Sequence, residues 1–107
     1  MNYSFFGTCS NDYEQLFGCL ETIIEQTIQP AQIVLVNSGE KEIKKVILEK
    51  LKNKNISLVY IKKKLSRVKA LNTAIDFLNT NYAFRFDTRT RFSKSYADNS
   101  LKTLNNK

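Results

Sequence analysis

Apolar positions along this chain follow two alternating rhythms. Short runs rich in β-branched and aromatic residues fall at Tyr3–Thr8, Gln32–Val36, Ile56–Ile61 and Tyr82–Phe86. Their length and composition predict strands. Between and after them, apolar residues recur at helical spacing: Leu16, Leu20, Ile23, Ile24 and Ile28; Ile43, Val46, Ile47 and Leu51; Val68, Leu71, Ile75 and Leu78; Tyr96, Ala97, Leu101 and Leu104. Each set predicts an amphipathic helix with that stripe against a core.

Local signals set the expected boundaries. Asn11 or Asp12 offers a cap for the first helix, which runs to Thr27 or Ile28 before Pro30. Asn37-Ser38-Gly39 is a turn, and the second helix is expected from Glu40 to the Asn53-Lys54-Asn55 stop. Ser66 can cap the third helix, and Asn79-Thr80-Asn81 ends it. The last helix is expected from Ser93 or Lys94, with a polar tail at residues 105–107.

The resulting order, β-α-β-α-β-α-β-α, defines an α/β fold. We expect a single domain over residues 1–107, a Rossmann-like three-layer α/β/α arrangement of four mainly parallel strands and four helices. The near-continuous apolar run QIVLV fits a strand buried on both faces. A parallel sheet gathers the loops after all four strands on one rim, where such folds bind ligands. Those loops are Thr8–Asn11, Asn37–Gly39, Lys62–Arg67 and Asp87–Arg91.

Charge sharpens this picture. Seventeen Lys and Arg against ten Asp and Glu give +7, unevenly spread. The first forty residues hold five acids and no base, so every base lies in the remainder. A basic half attracts polyanions, acidic membrane surfaces or phosphorylated ligands, although lysines such as Lys41, Lys44, Lys45, Lys50, Lys52 and Lys54 are expected on a solvated helix face. No run approaches the roughly 20 apolar residues of a membrane span, and the N-terminus lacks the features of a signal peptide. A cytoplasmic location is expected, with peripheral contact at the inner membrane face. Two cysteines without histidine do not make a structural zinc site. Cys19 is expected in the core and Cys9 near the surface, without a disulfide.

The chemistry concentrates in YAFRFDTRTRF, Tyr82 to Phe92, where a strand ends on Asp87 and Arg89 and Arg91 follow. A carboxylate beside guanidinium groups at a strand's C-terminal end suits a metal or phosphate site, or a loop acid satisfied by its arginines. No Gly-rich dinucleotide fingerprint or Walker-type phosphate loop is present. The absence of histidine and of a nucleophile elbow disfavours a Ser or Cys hydrolase.

Four segments in order, at residues 9–30 (CSNDYEQLFGCLETIIEQTIQP), 32–42 (QIVLVNSGEKE), 65–76 (LSRVKALNTAID) and 84–96 (FRFDTRTRFSKSY), resemble family 2 glycosyltransferases of the GT-A fold. CSNDYEQLFGCLETIIEQTIQP matches at Asn11, Cys19-Leu20 and Gln26-Thr27. QIVLVNSGEKE resembles the family's strand ending in Val-Asp-Asp-Gly-Ser, with Asn37 at an Asp position. LSRVKALNTAID resembles its Gly-Arg-Ala-x-Ala-Leu-Asn-x-Gly segment, Asn72 matching the family's Asn. FRFDTRTRFSKSY resembles a variant Asp-x-Asp region in which Arg89 replaces the second acid.

The resemblance implies binding of a nucleotide-diphosphate sugar, a UDP-sugar above all, for transfer to a glycan or lipid-linked glycan acceptor in surface polysaccharide synthesis. Thr8, Ser10, Asn11 and Asn37 would line the base slot. Arg67 and Lys69, at the start of a helix, would meet phosphate. Asp87 would hold Mg²⁺ or Mn²⁺, with Arg89 offsetting phosphate charge. The family's catalytic domain is about twice this length, and its second half supplies the acceptor pocket and the general-base carboxylate. The chain is therefore expected to be the donor-binding part, incomplete as an enzyme alone. A sheet edge normally covered by that half would be free to form a homodimer. The competing reading is a basic α/β module for nucleic acid or another polyanion, through Lys62–Lys64, Arg67, Lys69, Arg85, Arg89 and Arg91. Against it, aromatic residues do not interleave with these bases as single-strand readers need.

Overall fold

The computed structural model describes residues 2–105. Four strands alternate with four helices: β1 (Tyr3–Cys9), α1 (Tyr13–Ile24), β2 (Gln32–Asn37), α2 (Lys44–Lys50), β3 (Ser57–Lys62), α3 (Arg67–Asp76), β4 (Tyr82–Arg85) and α4 (Tyr96–Asn105). The strands form one parallel sheet in the order β3-β2-β1-β4. β2 is buried at every position, as its apolar run predicts.

The connections explain the layers. The chain steps from β1 to β2 to β3 in one direction, then returns to place β4 on the far side of β1. Right-handed crossovers in opposite directions put their helices on opposite faces. Accordingly, α1 and α2 pack on one face, joined there by α4, around Phe5, Leu16, Leu20, Ile33, Leu35, Ile47 and Leu101. α3 alone covers the other face, setting Ala70 and Ala74 against Val34 and Val36. Alternation along β2 divides the two cores, Ile33 and Leu35 facing one and Val34 and Val36 the other.

Aromatic rings brace the β4 side. Phe5 lies 5.8 Å from Phe84 and 5.0 Å from Phe92, and Phe92 lies 4.7 Å from Tyr96 between centroids. These tilted contacts fasten α4 and the preceding loop under β4. Buried Gln26 completes the join, its Nε2 donating to the Ser93 carbonyl at 2.6 Å and its Oε1 accepting from the Ala97 N–H at 2.9 Å. The Thr27 N–H donates to the Lys94 carbonyl nearby. The Gln-Thr pair is thus the strap that ties the end of α1 to the start of α4.

Several local expectations are corrected. α1 ends at Ile24 rather than Thr27 or Ile28, because the following residues leave the helix to reach α4. α2 begins at Lys44 rather than Glu40, since residues 39–41 are tied to Asn11, Tyr13 and Asn37. α4 begins at Tyr96. Ser66 caps α3 as expected, its hydroxyl accepting from the Lys69 N–H at 3.3 Å. The α3 stripe is rotated from its predicted place. The sheet takes Ala70 and Ala74, while Val68 and Ile75 stay exposed. Val46 and Leu104, also expected in the core, are 45% and 44% exposed. Cys9, expected at the surface, is buried, and both cysteines are free thiols. Residues 106–107 of the expected polar tail lie outside the described residues.

Candidate functional site

The strand order reverses between β1 and β4, and the crossover to β4 carries α3 over the face opposite α1, so a cleft opens at the C-terminal ends of these two strands. A cleft of about 580 Å³ lies there, lined by Thr8, Ser10 and Asp12 from one side and Asp87, Thr88 and Arg89 from the other. Leu65, Arg67 and Leu71 close it from the α3 side, and Ser38 from the end of β2. Three arginines, Arg67, Arg85 and Arg89, line it against two acids, Asp12 and Asp87, a balance that suits an anionic ligand.

Of the residues singled out from sequence, Thr8, Ser10, Arg67, Asp87 and Arg89 come together here. Arg67 Nη2 lies 3.1 Å from Asp87 Oδ2, and the Arg89 N–H donates to Asp87 Oδ1 at 3.1 Å. The Arg67 and Asp87 side chains are 71% and 45% exposed, so the pair is open to an incoming ligand. Ion pairs this exposed stabilise by about 0–1 kcal/mol, so either partner is easily recruited elsewhere.

Asn11, Asn37 and Lys69 do not line the cleft. The Asn11 Oδ1 accepts from the Glu40 N–H at 3.0 Å. Lys69 is exposed on α3 and is not among the lining residues, although Arg67 and Ala70 on either side of it are. Asn37 is fully buried, and its amide is saturated. Its Oδ1 accepts from the Gly39 N–H at 2.9 Å and from the Tyr13 hydroxyl at 3.2 Å. Its Nδ2 donates to the Lys41 carbonyl at 2.9 Å and to the Tyr60 hydroxyl at 3.0 Å. These bonds hold the turn after β2, and neighbouring Ser38 lines the cleft. Gly39 fits that turn because a side chain there would meet the Ser10 carbonyl.

Asp12, expected only as a helix cap, and Thr88 also line the cleft. The Thr88 hydroxyl donates to Asp12 Oδ2 at 2.5 Å, and the Ser10 N–H donates to Oδ1 at 2.9 Å. Burial raises the Asp12 carboxyl's affinity for a proton, but the Thr88 and backbone hydrogen bonds and the Arg89 charge outweigh it and hold the group below the usual carboxylate range. Asp12 therefore clamps one wall of the cleft to the other. Its reading as a helix cap hid this, and no side-chain cap bond forms at α1. Arg91 also serves the framework. It donates to the Thr88 and Thr90 carbonyls and to Gln15 Oε1, lying across Gly18 where a Cβ would collide with its guanidinium. Cys9 lines the cleft, but burial and then the Asp12 charge push its thiol up to about 12, far from a nucleophilic thiolate.

Among the described residues, no three Asp, Glu, His or Cys side chains converge as a metal cage. A cation bound chiefly through phosphates and water needs only one or two carboxylates. Asp87 fits that lesser role, provided that Arg67 yields one of its oxygens.

A parallel sheet with a cleft at its reversal point is the α/β architecture in which ligand sites are usual. The family model for glycosyl transferase family 2 matches residues 5–95, and the chain belongs to that family. Comparison with curated proteins finds no match. Among solved structures, S. aureus TarS residues 1–349 superimposes with a TM-score of 0.79 at 16% identity, covering 99% of this chain and 33% of that one. The same protein in complex with UDP gives 0.76, and in complex with UDP-GlcNAc 0.77, each at 16% identity over 99% of this chain and 32% of that one. These likenesses establish a shared GT-A-like fold, and this chain spans about a third of each TarS chain. Among the described residues, no helix is long and apolar enough to cross a membrane.

Proposed function

We propose that the cleft between β1 and β4 binds the nucleotide diphosphate of a sugar donor, a UDP-sugar above all, for glycosyl transfer in polysaccharide or glycoconjugate synthesis. The observation that carries this reading is the meeting of Thr8, Ser10, Arg67, Asp87 and Arg89 at the reversal point of a family 2 sheet. That structures of a protein sharing this fold are described in complex with UDP and UDP-GlcNAc supports it.

The roles follow from chemistry. Thr8, Ser10 and Ser38 offer small hydroxyls to the polar edge of a base or ribose. Arg67, paired with Asp87, and Arg89, which also lines the cleft, offer fixed positive charge to the diphosphate. A divalent cation held by Asp87 would neutralise the leaving phosphate's charge. Phosphate entering the cleft competes with Asp87 for Arg67, and that exchange would free a carboxylate oxygen. Asp12 and Arg91 act through the loop of residues 87–91, holding it against α1. On this reading the chain binds a donor by itself, and transfer draws on groups beyond those described.

Calorimetric titration with UDP, with and without Mn²⁺, tests the proposal. Arg67→Ala and Asp87→Ala should each weaken binding about tenfold or more, the loss of one charged contact being about 1.5–3 kcal/mol. Both variants should keep the wild-type melting transition. Unchanged UDP affinity in both would reject the site.

A further inference from the structure

We propose that the loop between β3 and α3, together with the first two turns of α3, docks onto an anionic lipid bilayer. Residues 62–69 read KKKLSRVK, five bases without an acid. All five, Lys62, Lys63, Lys64, Arg67 and Lys69, are exposed. Two of them meet acids, Lys64 at Glu40 over 3.7 Å and Arg67 at Asp87 over 3.1 Å, with Lys64, Glu40 and Arg67 each at least 70% exposed. Pairs so open to solvent are screened and leave the surface strongly basic.

A solvated basic loop explains the lysines but not the apolar residues among them. Val68, between Arg67 and Lys69, is 69% exposed, more than any other large apolar side chain described. Ile75 follows two turns later on the same side of α3 and is also exposed, with half-buried Leu71 between them. This stripe lies away from Ala70 and Ala74, which hold the sheet. Cations around a solvent-facing apolar stripe are the arrangement of an interfacial helix. The bases meet headgroup phosphates, and Val68 reaches the acyl boundary. A polyanion in solution would satisfy the lysines and offer Val68 nothing. A second copy packed stripe to stripe would cover the apolar residues but set the bases of the two copies against each other. A bilayer satisfies both. Because Leu65 and Arg67 also line the cleft, docking would hold the cleft's mouth at headgroup level. The docking itself does not depend on what the cleft binds.

Vesicle co-sedimentation tests this, with phosphatidylcholine alone and mixed with phosphatidylglycerol, at low and high salt, and with soluble polyphosphate binding measured alongside. We expect binding to the anionic vesicles alone, weakening as salt rises. Lys62→Gln/Lys63→Gln/Lys64→Gln should lower the partition coefficient roughly 100-fold, each base near an anionic surface being worth about fivefold. Val68→Ser should lower it about tenfold and leave polyphosphate binding unchanged. Circular dichroism checks that both variants fold. Equal binding to both vesicle types, or no binding to either, overturns the proposal. So does a Val68→Ser variant that binds vesicles like wild type, which would leave a generic polyanion surface. A concentration-dependent dimer dispersed by Val68→Ser would assign the stripe to a second copy instead.

Discussion

Asn37 is bound up in the turn that follows β2. Its Nδ2 is committed to the Lys41 carbonyl and the Tyr60 hydroxyl at the end of the most buried strand. Asn37→Asp would replace that donor with an acceptor and bury a charge beside a carbonyl. We expect a loss of about 2–4 kcal/mol at neutral pH, measured by urea unfolding, since a buried unpaired acceptor and an uncompensated charge both cost. Wild-type stability in that variant would show that the turn is held by other bonds. Asp12 gives the matching pH prediction. A carboxyl held low in the folded state stabilises above its unfolded value near 4, and the contribution is lost as pH falls through the folded value. Asp12→Asn should flatten the acid limb of the stability curve below about pH 4, and a superimposable curve would remove Asp12 from the clamp. At this scale the sequence was half legible. The identities of Asp87, Arg67 and Arg89 pointed to the rim, because strand ends converge there. The Asp12–Thr88 contact joins residues 76 apart, and no local signal announces such a pair.

The elements were more legible than their faces. Strands and helices stand where the periodicity puts them, yet α3 sets its alanines against the sheet instead of its larger side chains. Small residues let a helix approach closely, and it lies over the β-branched Val34 and Val36, which already fill the space. Ala70→Leu should therefore overpack this interface and cost about 1–3 kcal/mol. Ile75→Ala should stay within about 0.5 kcal/mol, as surface substitutions do. The reverse order in thermal melts would mean that α3 is turned the other way. The loop after β4 depends on α1 through Arg91 and Gly18. A Cβ at Gly18 would lie 2.4 Å from Arg91 Nη2. Gly18→Ala should displace the guanidinium. The loss of about 1 kcal/mol for its hydrogen bonds is offset by a similar gain in helix propensity at this mid-helix site. The effect should therefore show chiefly as weaker nucleotide binding through the loosened loop of Thr88 and Thr90. An unchanged melting temperature together with unchanged nucleotide affinity would show that Arg91 does not brace the loop.

For the whole molecule, the decisive feature is the reversal of strand order between β1 and β4. It places α3 opposite the other three helices and opens the cleft where charged loops meet. Alternating elements implied a parallel sheet with one functional rim, but strand order is a long-range property and had to come from the structure. The measurement that tests the account most directly is an amide chemical-shift titration of the labelled chain with UDP, with GDP and dTDP as comparisons. The account predicts saturable shifts at Thr8, Ser10, Ser38, Arg67, Asp87 and Arg89, with buried Asn37 responding little and Lys69 following only weakly. Shifts confined to Lys62–Lys64 and fading with salt, or no saturable shift with any nucleotide, would contradict it.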